Sequence, residues 1–212
     1  MKTFVFFGDS VTEGCFELYP TSCGFDTYRR PELVYHHLLK EPLAEKYGDV
    51  EIVNAGISGD NSHHALERID TDVLAKKPDA VVVCFGLNDC FHPLERYEAS
   101  LDEIFRRLRD VPRVIFLTPN MFNTYIHPDT LPESLKVANT TMKYQLDGTF
   151  DRYIDTARAV CKKHGVTVCD AYAEWKRRYA QGEDMTAQLA NLINHPNAAM
   201  HRLFADMLLP LL

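Results

Sequence analysis

The chain has 212 residues, of which 46% are hydrophobic and 25% charged, so it is neither a disordered acidic tail nor a disulfide-stapled miniprotein. The formal net charge is -7 and the basic residues are scattered in short pairs, which argues against nucleic acid as the main partner. No linker, repeat or low-complexity tract divides the sequence, and we expect one globular domain over residues 1–212.

Short β-branched and aromatic runs alternate with longer amphipathic segments. Strands are predicted at residues 3–7, 51–53, 80–85, 114–117 and 166–169. Helices are predicted at residues 31–47, 61–75, 95–109, 135–163, 171–180 and 197–209. Pro42 is expected to kink or split the first helix, and Gly148 to break the fourth. Five strands separated by helices predict a three-layer α/β/α sandwich around a flavodoxin-like parallel sheet, with ligands at the carboxyl ends of the strands.

The hydrophobic runs and the cysteines indicate the cellular compartment in which the protein is expected. The run at residues 4–7 is too short for a signal-peptide core, and no run approaches the roughly 20 residues of a membrane span. We therefore expect a cytoplasmic protein with no membrane partner. The six cysteines include no Cys-x-x-Cys pair, so we expect reduced, mostly buried thiols and no metal site.

The turns after the predicted strands carry the residues that are able to take part in catalysis or binding. Residues 8–10 read GDS, residues 54–60 read NAGISGD, residues 86–89 read GLND, and residues 195–197, in the last loop, read HPN. Because ligands of such sheets bind at the strand carboxyl ends, the fold is expected to bring these turns together. One such motif is weak evidence, whereas four in order are strong evidence.

These four segments resemble the SGNH hydrolases, the superfamily that includes the GDSL lipases and esterases. The resemblance runs from Gly8 to Asn197 and implies the SGNH hydrolase fold. It also implies that Ser10 is the nucleophile and His195 its general base. The oxyanion hole is then formed by the backbone N–H groups of Ser10 and Gly59 and the side-chain amide of Asn88, and this chemistry needs no cofactor or metal.

Simpler roles exist for the same residues. Ser10 could cap the helix that follows the first strand, and Asn88 could cap a helix as well. Gly59 could be an ordinary turn glycine, and a lone histidine such as His195 is more often structural. The four segments together favour the catalytic roles.

One position departs from the family. The acid of the catalytic triad usually lies three residues before the histidine, and here that residue is Leu192. Either a backbone carbonyl orients His195, which gives a Ser-His dyad, or a carboxylate from elsewhere does so, with Asp184 and Glu183 as candidates. We favour the dyad with modest turnover.

The resemblance predicts a serine ester hydrolase acting on a small-molecule ester. Short loops and the lack of a capping domain favour removal of acetyl or other short acyl groups from a carbohydrate or a small ester. Lysophospholipase or thioesterase activity is an alternative, and so is a non-catalytic descendant that binds glycans or lipids. A flavin or nucleotide binder is disfavoured, because no Gly-rich phosphate loop follows any strand. The oligomeric state stays open.

Overall fold

The computed structural model describes residues 1–212 and contains seven strands. They are β1 (Lys2–Gly8), β2 (Cys15–Thr21), β3 (Gly24–Arg29), β4 (Val50–Gly56), β5 (Ala80–Cys84), β6 (Val114–Leu117) and β7 (Thr167–Cys169). Five of them form one parallel sheet in the order β4-β1-β5-β6-β7, and β2 and β3 form a separate antiparallel hairpin. All five strands predicted for the central sheet are present.

Nine α-helices accompany the strands. They are α1 (Ser10–Glu13), α2 (Tyr35–Leu38), α3 (Lys40–Tyr47), α4 (Ser62–Asp72), α5 (Leu94–Arg107), α6 (Leu135–Leu146), α7 (Thr149–His164), α8 (Ala171–Ala180) and α9 (Ala198–Leu208). The α5 helix packs against both α4 and α7, and α2 packs against α9. Helices flank the sheet, which confirms the predicted α/β class.

Two helix interruptions occur where the sequence predicts them. The first predicted helix is split at Leu39, three residues before Pro42, because proline offers no N–H and its ring crowds the carbonyl one turn earlier. The long fourth helix is interrupted at Gly148, whose φ of +78° is a left-handed conformation that glycine adopts without strain.

The register of the sheet sets the position of the site. Gly8, the last residue of β1, pairs with Gly56 of β4 on one side and with Cys84 of β5 on the other. The three strands therefore end at one level, and the turns that follow them start side by side. A Cβ on Gly56 would lie 2.2 Å from the Glu13 nitrogen, so this glycine lets α1 pack directly on the end of β4.

The core supports this arrangement. A single cluster of 49 buried residues covers both faces of the sheet, and strand β5 is buried along its whole length.

Five of the six cysteines are buried and all six are free thiols, as expected. No helix combines the length and the apolar character that a membrane crossing requires.

The hairpin formed by β2 and β3 is the main element that the sequence prediction lacks. It is joined by the two residues Ser22 and Cys23, and its pairing is irregular between Cys15 and Leu18. The Asn-Gly or Asp-Gly pair that usually indicates a hairpin is absent, and Pro20 argues against a strand. The aromatic residues on either side of the turn are the one signal that the sequence offers.

Candidate active site

Ser10 is the first residue of α1 and is separated from the end of β1 by Asp9 alone. It is not the helix cap, because the Asp9 side chain accepts the hydrogen bond from the Val11 N–H at 3.0 Å. The capping role considered for Ser10 is therefore performed by Asp9. The Ser10 hydroxyl is left to interact outside the helix, although the residue is only 5% exposed.

The Ser10 hydroxyl contacts the imidazole of His195. The distance from Ser10 Oγ to His195 Nε2 is 3.0 Å, and the other ring nitrogen, Nδ1, lies 3.1 Å from the backbone carbonyl oxygen of Phe16. A carbonyl oxygen can only accept a hydrogen bond, so Nδ1 carries the proton and donates it. Nε2 of the neutral ring is then the acceptor for the serine O–H, which is the arrangement that a general base requires.

The environment keeps this imidazole neutral. Burial lowers the pKa of His195 to about 4, against the smaller opposing effects of the Phe16 carbonyl and the Glu13 carboxylate. At neutral pH the ring therefore has a free lone pair on Nε2.

No carboxylate contacts His195. Asp184 accepts hydrogen bonds from the Tyr125 hydroxyl at 2.7 Å and from the Ala187 N–H at 3.1 Å, and Glu183 faces Arg178. Of the two arrangements left open by the sequence, the structure contains the one with a backbone carbonyl, which belongs to Phe16 on β2. The Phe16 ring stacks on the buried His201 ring at 4.7 Å between centroids, which anchors this end of the hairpin.

The loop that carries His195 is organised by Asn191. Its side-chain oxygen accepts three backbone N–H groups, from Ile193 at 3.0 Å and from Asn194 and His195 at 2.8 Å each. Leu192, at the position of the usual triad acid, has a φ of +61°. The sequence alone does not single out this asparagine, although a side chain that caps successive N–H groups is typical of tight loops.

Gly59 and Asn88 lie beside Ser10 and His195 on the wall of one cavity. Gly59 has a φ of +76°, and a side chain built there would meet no atom within 4 Å, so its backbone faces open space. The Asn88 side-chain nitrogen donates to the Asp60 carbonyl at 2.7 Å. Since an amide nitrogen has two hydrogens, one remains for a ligand. All four residues predicted for the site are thus brought together.

Two buried carboxyl groups lie next to the site residues in sequence: Asp9 precedes Ser10, and Asp89 follows Asn88. Burial raises the pKa of Asp9 to about 7 and that of Asp89 to about 6. Asp89 holds the start of α4 by accepting the Ser62 N–H at 3.0 Å. One oxygen of each carboxyl has no hydrogen-bond partner, so protonation of these groups relieves a desolvation cost.

The cavity has a volume of about 390 Å³. The hairpin supplies one wall, and the rest comes from the histidine loop, the Gly59 turn, Ser10, Asn88 and Val137 at the start of α6. The hairpin residues that line it are Leu18, Phe25, Asp26 and Thr27. No lysine or arginine lines the cavity, and the Phe25 side chain stays 42% exposed at its mouth.

Comparisons with known proteins agree with this fold. The model of the GDSL-like Lipase/Acylhydrolase family matches residues 6–203. The chain is 25% identical over 168 residues to an acetylxylan esterase from Geobacillus stearothermophilus, across 73% of this chain and 76% of that protein. It superimposes on LAE5, an alpha/beta hydrolase enzyme from the metagenome of Lake Arreo, Spain, with a TM-score of 0.71 and 26% identity over 99% of this chain and 94% of that one. The lipase/acylhydrolase from Enterococcus faecalis gives a TM-score of 0.71 and 23% identity over the same shares, 99% and 94%.

Proposed function

The chain belongs to the GDSL-like lipase/acylhydrolase family, a group of carboxylic ester hydrolases, and we propose that it removes short acyl groups through an acyl-enzyme on Ser10. The observation that carries the proposal is the hydrogen bond of 3.0 Å between Ser10 Oγ and His195 Nε2, with the opposite ring nitrogen held by a carbonyl. That pair lies at the wall of an open cavity.

The chemistry follows from this geometry. His195 Nε2 takes the serine proton as Ser10 Oγ attacks the ester carbonyl, and the negative charge moves to the carbonyl oxygen. The N–H groups of Ser10 and Gly59 and the amide of Asn88 bind that oxyanion, with each donor worth about 2.7–4 kcal/mol in the transition state. The imidazolium then protonates the leaving alcohol, and a water molecule repeats the sequence to release the acid.

Dyad chemistry predicts modest turnover. The imidazolium that forms in the transition state faces a neutral carbonyl of Phe16 instead of a buried carboxylate. In serine proteases, replacing that carboxylate by a neutral group lowers kcat by about 10⁴, much of it through the wrong tautomer. The Phe16 carbonyl enforces the right tautomer, so we expect a smaller loss here.

The alcohol part of the substrate is proposed to lie against the hairpin. The leaving oxygen must face His195, and the hairpin holds that histidine through Phe16 and also lines the cavity with Phe25 and Asp26. An exposed aromatic ring and a carboxylate are suited to the apolar face and the hydroxyl groups of a sugar. The similarity to an acetylxylan esterase supports an acetylated carbohydrate as the substrate class.

The alternative activities fit this cavity less well. A lysophospholipid or a coenzyme A thioester has anionic phosphates, and the cavity offers them no lysine or arginine, while Asp26 repels them. The cytoplasmic location expected from the sequence stays a prediction, which fractionation of cells that express the protein would test.

The test is hydrolysis of p-nitrophenyl acetate, butyrate and octanoate by the wild-type protein and by Ser10→Ala. We expect activity that is lost with the serine and falls with acyl length, together with release of acetate from acetylated xylo-oligosaccharides. Phe25→Ala is expected to weaken the action on the oligosaccharides more than that on p-nitrophenyl acetate. Equal activity in the wild type and in Ser10→Ala would contradict the proposal.

A further inference from the structure

The turn that carries Gly59 is fastened on both sides by charged side chains. Before the glycine, the Ser58 N–H donates to Oε2 of Glu13 at 2.6 Å. After it, Asp60 Oδ2 accepts from Arg68 Nε at 2.8 Å. The same guanidinium also donates to two backbone carbonyl oxygens. The Gly59 amide therefore lies between two residues whose positions are fixed by side chains from other elements.

Glu13 is also tied to the nucleophile. It is the last residue of α1, the four-residue helix whose first residue is Ser10. Its backbone carbonyl accepts from Asn54 Nδ2 at 3.2 Å, and its backbone packs directly on Gly56. One short helix thus presents the serine at its start and, at its end, the carboxylate that holds the Gly59 turn.

We propose that Glu13 is a positioning residue of the oxyanion hole, acting on the Gly59 amide through the Ser58 N–H. The inference rests on the proposed function, since it concerns the same site. Gly59 has a left-handed backbone and nothing packs on the open side where a side chain would point. The direction of its N–H is therefore set by the hydrogen bonds that hold the neighbouring residues Ser58 and Asp60.

The expected effect falls on the transition state. A donor of the oxyanion hole acts most strongly on the charge that develops during attack, and the neutral ester makes weaker use of it. A misplacement of about 1 Å can lower the rate by about 10²-fold. Loss of the Glu13 acceptor is therefore expected to lower kcat and to leave KM nearly unchanged.

Arg29 provides the matched control. Its Nε donates to the other carboxylate oxygen of Glu13 at 2.9 Å, and its side chain is 47% exposed. An exposed ion pair of this kind contributes little, and Arg29 does not contact Ser58. Replacing Arg29 removes the charge partner of Glu13 while the hydrogen bond to the Ser58 N–H remains.

The experiment compares kcat and KM for p-nitrophenyl acetate in the wild type, Glu13→Met, Glu13→Gln and Arg29→Gln. The methionine side chain keeps the length but cannot accept the Ser58 N–H, and kcat is expected to fall about 10- to 100-fold with KM changed by less than about threefold. The glutamine oxygen can still accept, so kcat is expected to stay within about fivefold of the wild type. Arg29→Gln is expected to stay within about twofold.

The outcomes separate the two proposals. If Glu13→Met does not fold, Glu13→Asp replaces it, because the shorter carboxylate keeps the charge but not the reach to Ser58, and the same loss of kcat is expected. A kcat near that of the wild type in the folded variant, or a loss confined to KM, would overturn the role of Glu13. Wild-type activity that is absent or persists in Ser10→Ala would instead overturn the proposed function, and this inference with it.

Discussion

The neutral state of His195 leads to a quantitative prediction for the pH dependence of catalysis. The general base must be unprotonated in the free enzyme, and the acid limb of kcat/KM reports its pKa. With a pKa lowered by burial to about 4, about 97% of the imidazole is neutral at pH about 5.5. With the ordinary pKa of about 6.5, only about 9% is neutral at that pH. The structure therefore predicts roughly tenfold more activity at this pH than an exposed histidine allows.

The assay is hydrolysis of phenyl acetate from pH about 4 to 8 at constant ionic strength, with Ser10→Ala subtracted as background. The imidazole is followed directly by NMR titration, with its signal assigned by His195→Gln. We expect activity to be nearly constant down to pH about 5 and to be halved near pH 4. A ring that titrates near pH 6.5 would refute the argument, because burial would then not control this group.

The same scan must include a check of folding, because other buried histidines also titrate low. Burial lowers the pKa of His36 to about 4 and that of His201 to about 3. Between these values and about 6.5 each of these histidines binds more protons in the unfolded chain than in the folded one, so their contribution to stability falls as the pH drops below about 6.5, while the raised pKa values of Asp9 and Asp89 act in the opposite direction. Each sample is therefore returned to neutral pH and assayed again. Activity that recovers separates titration of the site from irreversible unfolding.

Three further substitutions test other contacts. Asn88→Ala removes a proposed oxyanion donor and is expected to lower kcat by about 10²–10³-fold, whereas an unchanged kcat would exclude Asn88 from the oxyanion hole. Asp184→Ala breaks the contact with Tyr125 and is expected to cost about 1 kcal/mol of stability with kcat unchanged within about twofold, and a hundredfold loss in a folded variant would make it the missing acid. Gly56→Ala places a Cβ against the Glu13 backbone, so we expect at least about 3 kcal/mol of destabilisation and a Tm lower by roughly 6–12 °C, and an unchanged Tm would contradict this close packing.

Some residues of this site can be predicted from the sequence because their residue type is what matters. The roles proposed for Ser10, Gly59, Asn88 and His195 depend on a side chain or on the absence of one, so residue identity points to them. Their turns also follow strands that an apolar pattern predicts. The fold and the four segments are therefore accessible before any coordinates are known.

The group that orients His195 is of a different kind. A backbone carbonyl has no residue identity, and Phe16 could be replaced by many residues without loss of that oxygen. Its position depends on the hairpin, whose irregular pairing and weak turn signal give no clear strand pattern. The role of Glu13 is hidden for a similar reason, since its partner is the N–H of a loop residue. The Phe16 carbonyl and the contact of Glu13 with a loop N–H are not tied to a residue type at the backbone partner, so both become visible only in the folded structure.

Leu192 provides the last test of the orienting carbonyl. Its φ of +61° is costly for leucine and more acceptable for aspartate or asparagine, so both substitutions relieve the same backbone strain. Leu192→Asp restores the acid that the family usually has, and Leu192→Asn is the uncharged control. Because the Nδ1 proton of His195 is already donated to Phe16, kcat of the two variants is expected to agree within about threefold. If Leu192→Asp exceeds Leu192→Asn a hundredfold or more, the imidazole has turned to the new carboxylate, and the carbonyl is not what fixes the histidine.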